Sequence, residues 1–287
     1  MNAFKLILCD IREGIIRNKR YFLVPVLSLF ECMYADMNIN AYKTYGAVQS
    51  HTTFLDIIAE IFHGCDPIAR TPNPDIMIAL PYFWIAIFVF AVFVSFDYMH
   101  NDLTQFGIQV LSRSRKRSAW WGAKCIWCIL SGIWFYVLFL LTVLIFCIIN
   151  EYELLFTNNP DILNIIADRS IIYIFKGVPN LNFLQRSWML LAPMVVICTL
   201  NMLQMLLCLF CKPMYSYLMI IGILLFGVLV DIPAAFSRCA MTTMNNWFFE
   251  DGYPTVIGLA VCVILTVVAM VIGTLYFKRY DILPDKE

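Results

Sequence analysis

Five stretches of the chain contain no Asp, Glu, Lys or Arg: 76–96, 125–150, 187–211, 213–230 and 252–277. Each is 18 to 26 residues long and rich in Leu, Ile, Val, Phe and Met. A bilayer core is about 30 Å thick and a helix rises about 1.5 Å per residue, so about 20 apolar residues suffice to cross it. Inside lipid the backbone must satisfy its own hydrogen bonds, which selects helix. A sixth apolar segment, YFLVPVLSLFECMYA from Tyr21 to Ala35, is interrupted by Glu31. The pattern predicts an all-α, polytopic membrane protein with six transmembrane helices, at 21–39, 76–96, 125–149, 187–211, 213–231 and 253–277. These spans and their loops consume residues 1–287, so a single membrane domain is expected.

Shorter patterns fill the gaps. In residues 1–20, Phe4, Ile7, Leu8, Ile11 and Ile15 fall on one helical arc, with Lys5, Arg12, Glu13, Arg17, Lys19 and Arg20 on the other. Such a segment is expected to lie in the membrane interface with its basic face toward anionic headgroups. Short helices are expected at Phe54–His63 and Ile162–Phe175. Residues 232–251 are amphipathic and should return into the outer interface, with Trp247 and Phe248 as aromatic anchors.

Charge gives the orientation. With six spans, one side holds 1–20, the 97–124 loop, Lys212 and the tail, with 14 of the 20 Lys and Arg; the other side holds 6. Positive charge stays cytoplasmic, so both termini are placed inside a cell membrane, and a bacterial plasma membrane is the expected setting. Mean hydropathy is +0.77 and charged residues make up only 14%. The formal net charge of zero gives no case for a nucleic-acid partner.

Most of the eleven cysteines fall in or beside spans, where they act as small apolar residues. Cys125 and Cys128 form a C-x-x-C at the start of a span, without the strand–helix context of a redox site. Only Cys65 and Cys239 are placed outside, which makes them the candidate disulfide. No His cluster accompanies a Cys, so no metal site is predicted.

The 97–124 loop is the most informative segment. Met99, Leu103, Phe106 and Val110 recur at helical spacing, opposite Asn101, Thr104, Gln105 and Gln109. A short amphipathic helix at the inner surface suits a groove on a cytoplasmic partner. Arg113, Arg115, Lys116, Arg117 and Lys124 follow, at the level of inner-leaflet phosphates, with Trp120 and Trp121 at headgroup depth. A positive-inside anchor alone would explain the charges and tryptophans, but not the apolar stripe before them.

The order of these parts, with L-S-R-S-R-x-R-x-x-W-W-x-x-K over 111–124, resembles the permease subunits of type-2 ATP-binding-cassette exporters. In that family the inner-loop motif reads leucine, Ser or Thr, Arg, a small residue or proline, then Arg, with a lysine opening the third span. Leu111, Ser112, Arg113, Arg115, Arg117 and Lys124 occupy it here. The segment between the last two spans and the FKRYDIL tail at 277–283 are also similar to that family.

The resemblance implies the membrane-spanning half of an ATP-driven exporter. Met99, Leu103, Phe106 and Val110 would couple it to a separate ATP-binding-cassette ATPase subunit, which would carry ATP and Mg. A second permease, identical or paralogous, would complete the pathway. The chain itself has no G-x-x-x-x-G-K-[ST] phosphate loop, so no cofactor and no catalytic residue are assigned to it.

Glu31, Asn201 and Gln204 are the polar residues expected at membrane depth. They would either line the substrate path or join helices by hydrogen bonds. Two other classes stand beside the transporter: a channel, sensor or immunity protein working without an ATPase, and an integral membrane enzyme. The three histidines, His51, His63 and His100, form no H-E-x-x-H and speak against the enzyme. The apolar docking stripe speaks against the lone channel.

Overall fold

The computed structural model describes residues 3–46, 51–66, 80–98, 101–102, 117–167, 181–230, 232, 234–242, 244–250 and 252–279. Among the described residues the chain is helical, with two isolated bridge pairs and no strand. The helices are α1 (Ala3–Ile11), α2 (Val24–Gly46), α3 (Phe54–Ile61), α4 (Tyr82–Ser95), α5 (Arg117–Ile149), α6 (Pro160–Ala167), α7 (Phe183–Leu207), α8 (Pro213–Leu229) and α9 (Thr255–Arg279).

Four helical stretches are long and apolar enough to cross a membrane: Lys19–Thr44, Trp120–Ile149, Phe183–Leu207 and Thr255–Phe277. They mark the chain as a membrane-embedded protein. Tyr82–Ser95 and Pro213–Leu229 are apolar but shorter. At about 1.5 Å per residue their 14 and 17 residues reach about 21 and 26 Å, less than the bilayer core.

Side-chain contacts gather the helix ends into two groups. At one end Arg20, just before α2, meets Asp97 after α4. Trp121 at the start of α5 donates its indole N–H to Met270 O near the end of α9. The Tyr276 hydroxyl of α9 donates to Leu209 O, just past α7. At the opposite end Tyr152, beyond α5, hydrogen-bonds Asp36 of α2. There Asn38 of α2 donates to Glu60 of α3, and Thr242 N–H donates to Phe62 O.

The core follows from helical periodicity. Val24, Ser28, Glu31, Cys32, Ala35 and Ile39 form the buried seam of α2, which packs on α5. Phe30, Met33 and Met37 of the same helix, with Phe22 in the turn before it, face outward, as lipid-facing side chains do. The most extensive interfaces are those of α7 with α5 and with α9. Small side chains permit the close approach: a Cβ on Gly273 of α9 would overlap the Trp121 indole. Thr199 of α7 and Thr266 of α9 lie 3.3 Å apart, hydroxyl to hydroxyl.

Three expectations change. Residues 3–20 are not one continuous helix: α1 passes into a π turn at Arg12–Ile16, and a 3-10 turn follows at Lys19–Leu23. Its buried side is Leu6, Asp10, Gly14 and Ile15, while Leu8 is 51% exposed. Trp120 and Trp121 are buried rather than set at headgroup level, because both rings pack on Phe277 of α9. Phe248 is fully buried with Phe236 and Phe249, so it cannot act as an interfacial anchor; Trp247 is half-buried.

Candidate functional site

The two roots of the 97–124 loop are held by charged side chains. The first root is the end of α4. Arg20 presents its guanidinium to both oxygens of Asp97, at 2.6 and 2.7 Å. Arg20 also donates to Phe93 O at 3.3 Å, and lies 4.9 Å from the Phe93 ring centre and 5.5 Å from that of Phe96. Asn18 adds a bond from its amide N–H to Val94 O at 2.9 Å. These groups satisfy carbonyls that the helix end leaves free. A planar fork on a carboxylate fixes orientation as well as distance.

The second root is the beginning of α5. Lys124 is 1% exposed. Its ammonium lies 2.5 Å from Asp10 Oδ1 of α1 and 2.8 Å from Asp102 Oδ2. The Tyr98 hydroxyl donates to Asp10 Oδ1 at 3.0 Å, and its ring stacks on Trp127 with centres 4.1 Å apart. Lys124 also stands over the rings of Tyr98 at 4.9 Å and Trp120 at 5.2 Å. Gly14 makes room for this cluster, since a Cβ there would overlap the Trp127 indole and crowd the Tyr98 ring.

Two carboxylates and one ammonium leave this buried group one negative charge in excess. Burial pushes the Asp10 carboxyl above the ordinary carboxylate range, with Lys124 pulling the other way. Burial and the neighbouring carboxylates push the Tyr98 hydroxyl up as well. Such a cluster anchors and orients; it pairs no nucleophile with a base. Among the described residues no group of three or more His, Cys, Asp or Glu is placed to hold a metal.

The predicted residues fare unequally. Met99, Leu103, Phe106, Val110, Arg113, Arg115 and Lys116 lie outside the described residues, and Arg117 opens α5 with its side chain outside them too. Lys124, expected at the lipid phosphates, is instead enclosed, because Asp10 and Asp102 neutralise it within the protein. Arg20, Asp10, Asp97, Asp102 and Tyr98 were not singled out by sequence. One signal was present: Leu6, Asp10 and Gly14 repeat every four residues along α1 and the π turn after it, which puts an acid on the buried stripe.

Glu31, Asn201 and Gln204 are all enclosed within the chain. Ser95 of α4 donates to Asn201 Oδ1 at 3.3 Å, and Gln204 donates to Ser216 Oγ of α8 at 3.1 Å. The two amides therefore link three helices. Glu31 Oε1 is buried without a hydrogen-bond partner. Cys65 and Cys239 are free thiols, so the expected disulfide is not formed.

No family model, curated protein or solved structure matches this chain.

Proposed function

We propose that this protein is the membrane-spanning half of an ATP-driven exporter, with residues 97–124 as the segment that seats on a separate ATPase subunit. The observation that carries the reading is the anchoring of both roots of that segment. Asp97 is clasped by Arg20, and Asp10 and Asp102 are both paired with Lys124. A docking element must pass force to the bundle without folding back, and a root fixed by buried ion pairs supplies the stiffness. A loop serving only as a lipid anchor has no need of it.

In this reading the bundle crosses a cell membrane six times with both termini inside, and the 14-to-6 division of Lys and Arg supports it. A second permease completes the pathway. ATP and Mg belong to the partner, since the chain carries no phosphate-cradling loop.

The test is co-purification of the ATPase with variants at equal membrane expression. Phe106 is the largest apolar group of the 99–110 stripe, and truncating an aromatic anchor costs about 2 kcal/mol or more, roughly a thirtyfold loss of affinity. Phe106→Ala is expected to release the ATPase, while Arg115→Ala retains it. A Phe106→Ala chain that keeps its full complement of ATPase, or a wild-type chain that recruits none, overturns the assignment and leaves the channel or sensor reading.

A further inference from the structure

Asn201 and Gln204 stand three residues apart on one face of α7 and line a small cavity with Ser95 of α4 and Cys128 of α5. The cavity has room for about one water molecule. Its two amides are 1% and 2% exposed, and each keeps one polar atom without a partner: Asn201 Nδ2, a donor, and Gln204 Oε1, an acceptor. Buried amide atoms of this kind cost about 1–3 kcal/mol each when left unmade, so native interiors supply a partner.

We infer that this cavity is a binding site for a single water, which accepts from Asn201 Nδ2 and donates to Gln204 Oε1. Water fits the chemistry because it accepts and donates at once, whereas a cation would repel the Asn201 N–H and an anion the Gln204 carbonyl. The remaining lining completes its shell. Ser95 already bonds Asn201, and the Cys128 thiol is a weak donor. The site closes a polar knot among α4, α5 and α7, extended to α8 through Gln204 and Ser216. It lies next to Phe96, adjoining the Asp97–Arg20 clasp, so the first root of the inner loop and the hydrated knot share one helix end. The inference stands on this cavity alone and is independent of the exporter reading.

X-ray radiolytic footprinting tests it. Ionising a bound water produces hydroxyl radical in place and oxidises side chains that bulk radicals do not reach. Cys128 and Met205 line the cavity, whereas Cys147 and Met202 are equally enclosed but do not. In the purified full-length chain, Cys128 and Met205 are expected to oxidise several-fold faster than Cys147 and Met202. Rates no faster than those controls overturn the proposal. Equal labelling by radicals made in bulk from peroxide also overturns it, because the cavity would then be an open cleft. Gln204→Leu removes the acceptor and should bring Cys128 down to the rate of Cys147; an unchanged rate in a folded variant refutes the assigned ligand. Should that variant fail to fold, the comparison within the wild-type chain decides alone.

Discussion

Lys124→Met is the sharpest probe of the inner-loop root. Among the described residues, Lys124 is the basic side chain that the structure sets between Asp10 and Asp102, at 2.5 and 2.8 Å. Met has a similar length and fits the same apolar walls, so the change removes charge with little change in volume. What remains is two enclosed carboxylates without a counter-charge. Breaking a buried pair by deleting one partner costs about 3–5 kcal/mol, against about 0–1 kcal/mol for an exposed pair.

The charge count sharpens the contrast. Wild type carries one cation and two anions here, a net of −1. Lys124→Met takes the group to −2, and Asp10→Asn takes it to 0. Asp10→Asn keeps an oxygen to accept from Lys124 and Tyr98 and leaves Asp102 as the counter-ion. It is therefore expected to cost about 1 kcal/mol, the size of one ordinary hydrogen bond. The double variant Lys124→Met with Asp10→Asn should recover part of the loss, because one stranded anion is gone. The assay is thermal unfolding of detergent-purified protein, followed by retention of the monodisperse peak. If Lys124→Met and Asp10→Asn cost the same, or Lys124→Met costs less than about 1 kcal/mol, Lys124 behaves as an exposed lysine. The enclosed root would then be wrong.

Two further predictions concern opposite ends of the bundle. Gly14→Ala drives a methyl into the Trp127 indole, which is wedged between Gly14 and Tyr98, so an overpacking loss of about 1–3 kcal/mol is expected in the same unfolding assay; a neutral effect would detach α1 from α5. At the other end, burial pushes the Asp56 carboxyl from 3.8 up to about 6, despite bonds from Thr53 and Asn159. The folded state then holds that proton more tightly than the unfolded chain, so the contribution is fully present below 3.8 and is lost as pH rises through about 6. Hydrogen exchange of the Phe54–Ile61 amides, corrected for intrinsic rate, should show weaker protection at pH 7 than at pH 5, and Asp56→Asn should flatten the difference; stronger protection at pH 7 in wild type refutes the sign.

The apolar helices were legible because their signal is composition sustained over about 18 residues or more. The runs at 125–150, 187–211, 213–230 and 252–277 become Arg117–Ile149, Phe183–Leu207, Pro213–Leu229 and Thr255–Arg279. Glu31 weakened the first span in sequence, yet α2 runs through it from Val24 to Gly46, because that carboxyl faces the bundle. The misplaced residues are those whose position was read from distance to the membrane alone. Lys124, Trp120 and Trp121 face inward, and depth carries no information about facing. Facing is set by partners distant in sequence: Asp10 for Lys124, Phe277 and Met270 for Trp121. Residues 232–251 failed for a related reason. Their apolar side chains read as amphipathic in isolation, but Phe236, Phe248 and Phe249 fill space in the core.

The acids of the inner side also carry a consequence for how positive charge is read. In the sequence, Asp10, Asp97 and Asp102 only subtract from the inner surplus of Lys and Arg. In the structure each is spent on a basic residue of another element: Asp97 on Arg20, Asp10 and Asp102 on Lys124. Lys124 is thereby enclosed and Arg20 is held against Asp97, while among the described residues Arg12, Arg17, Lys19 and Lys212 are exposed. Arg17 is itself paired with Glu13 across one turn at 2.8 Å. The loop's grip on the bundle and its attraction to the membrane therefore draw on different residues. A variant at Arg20 or Lys124 should loosen the root while leaving lipid contact intact, and one at Arg113 or Arg115 should weaken lipid contact modestly, by about 1 kcal/mol per charge, while leaving the root and insertion intact, which makes the two functions separable by mutation.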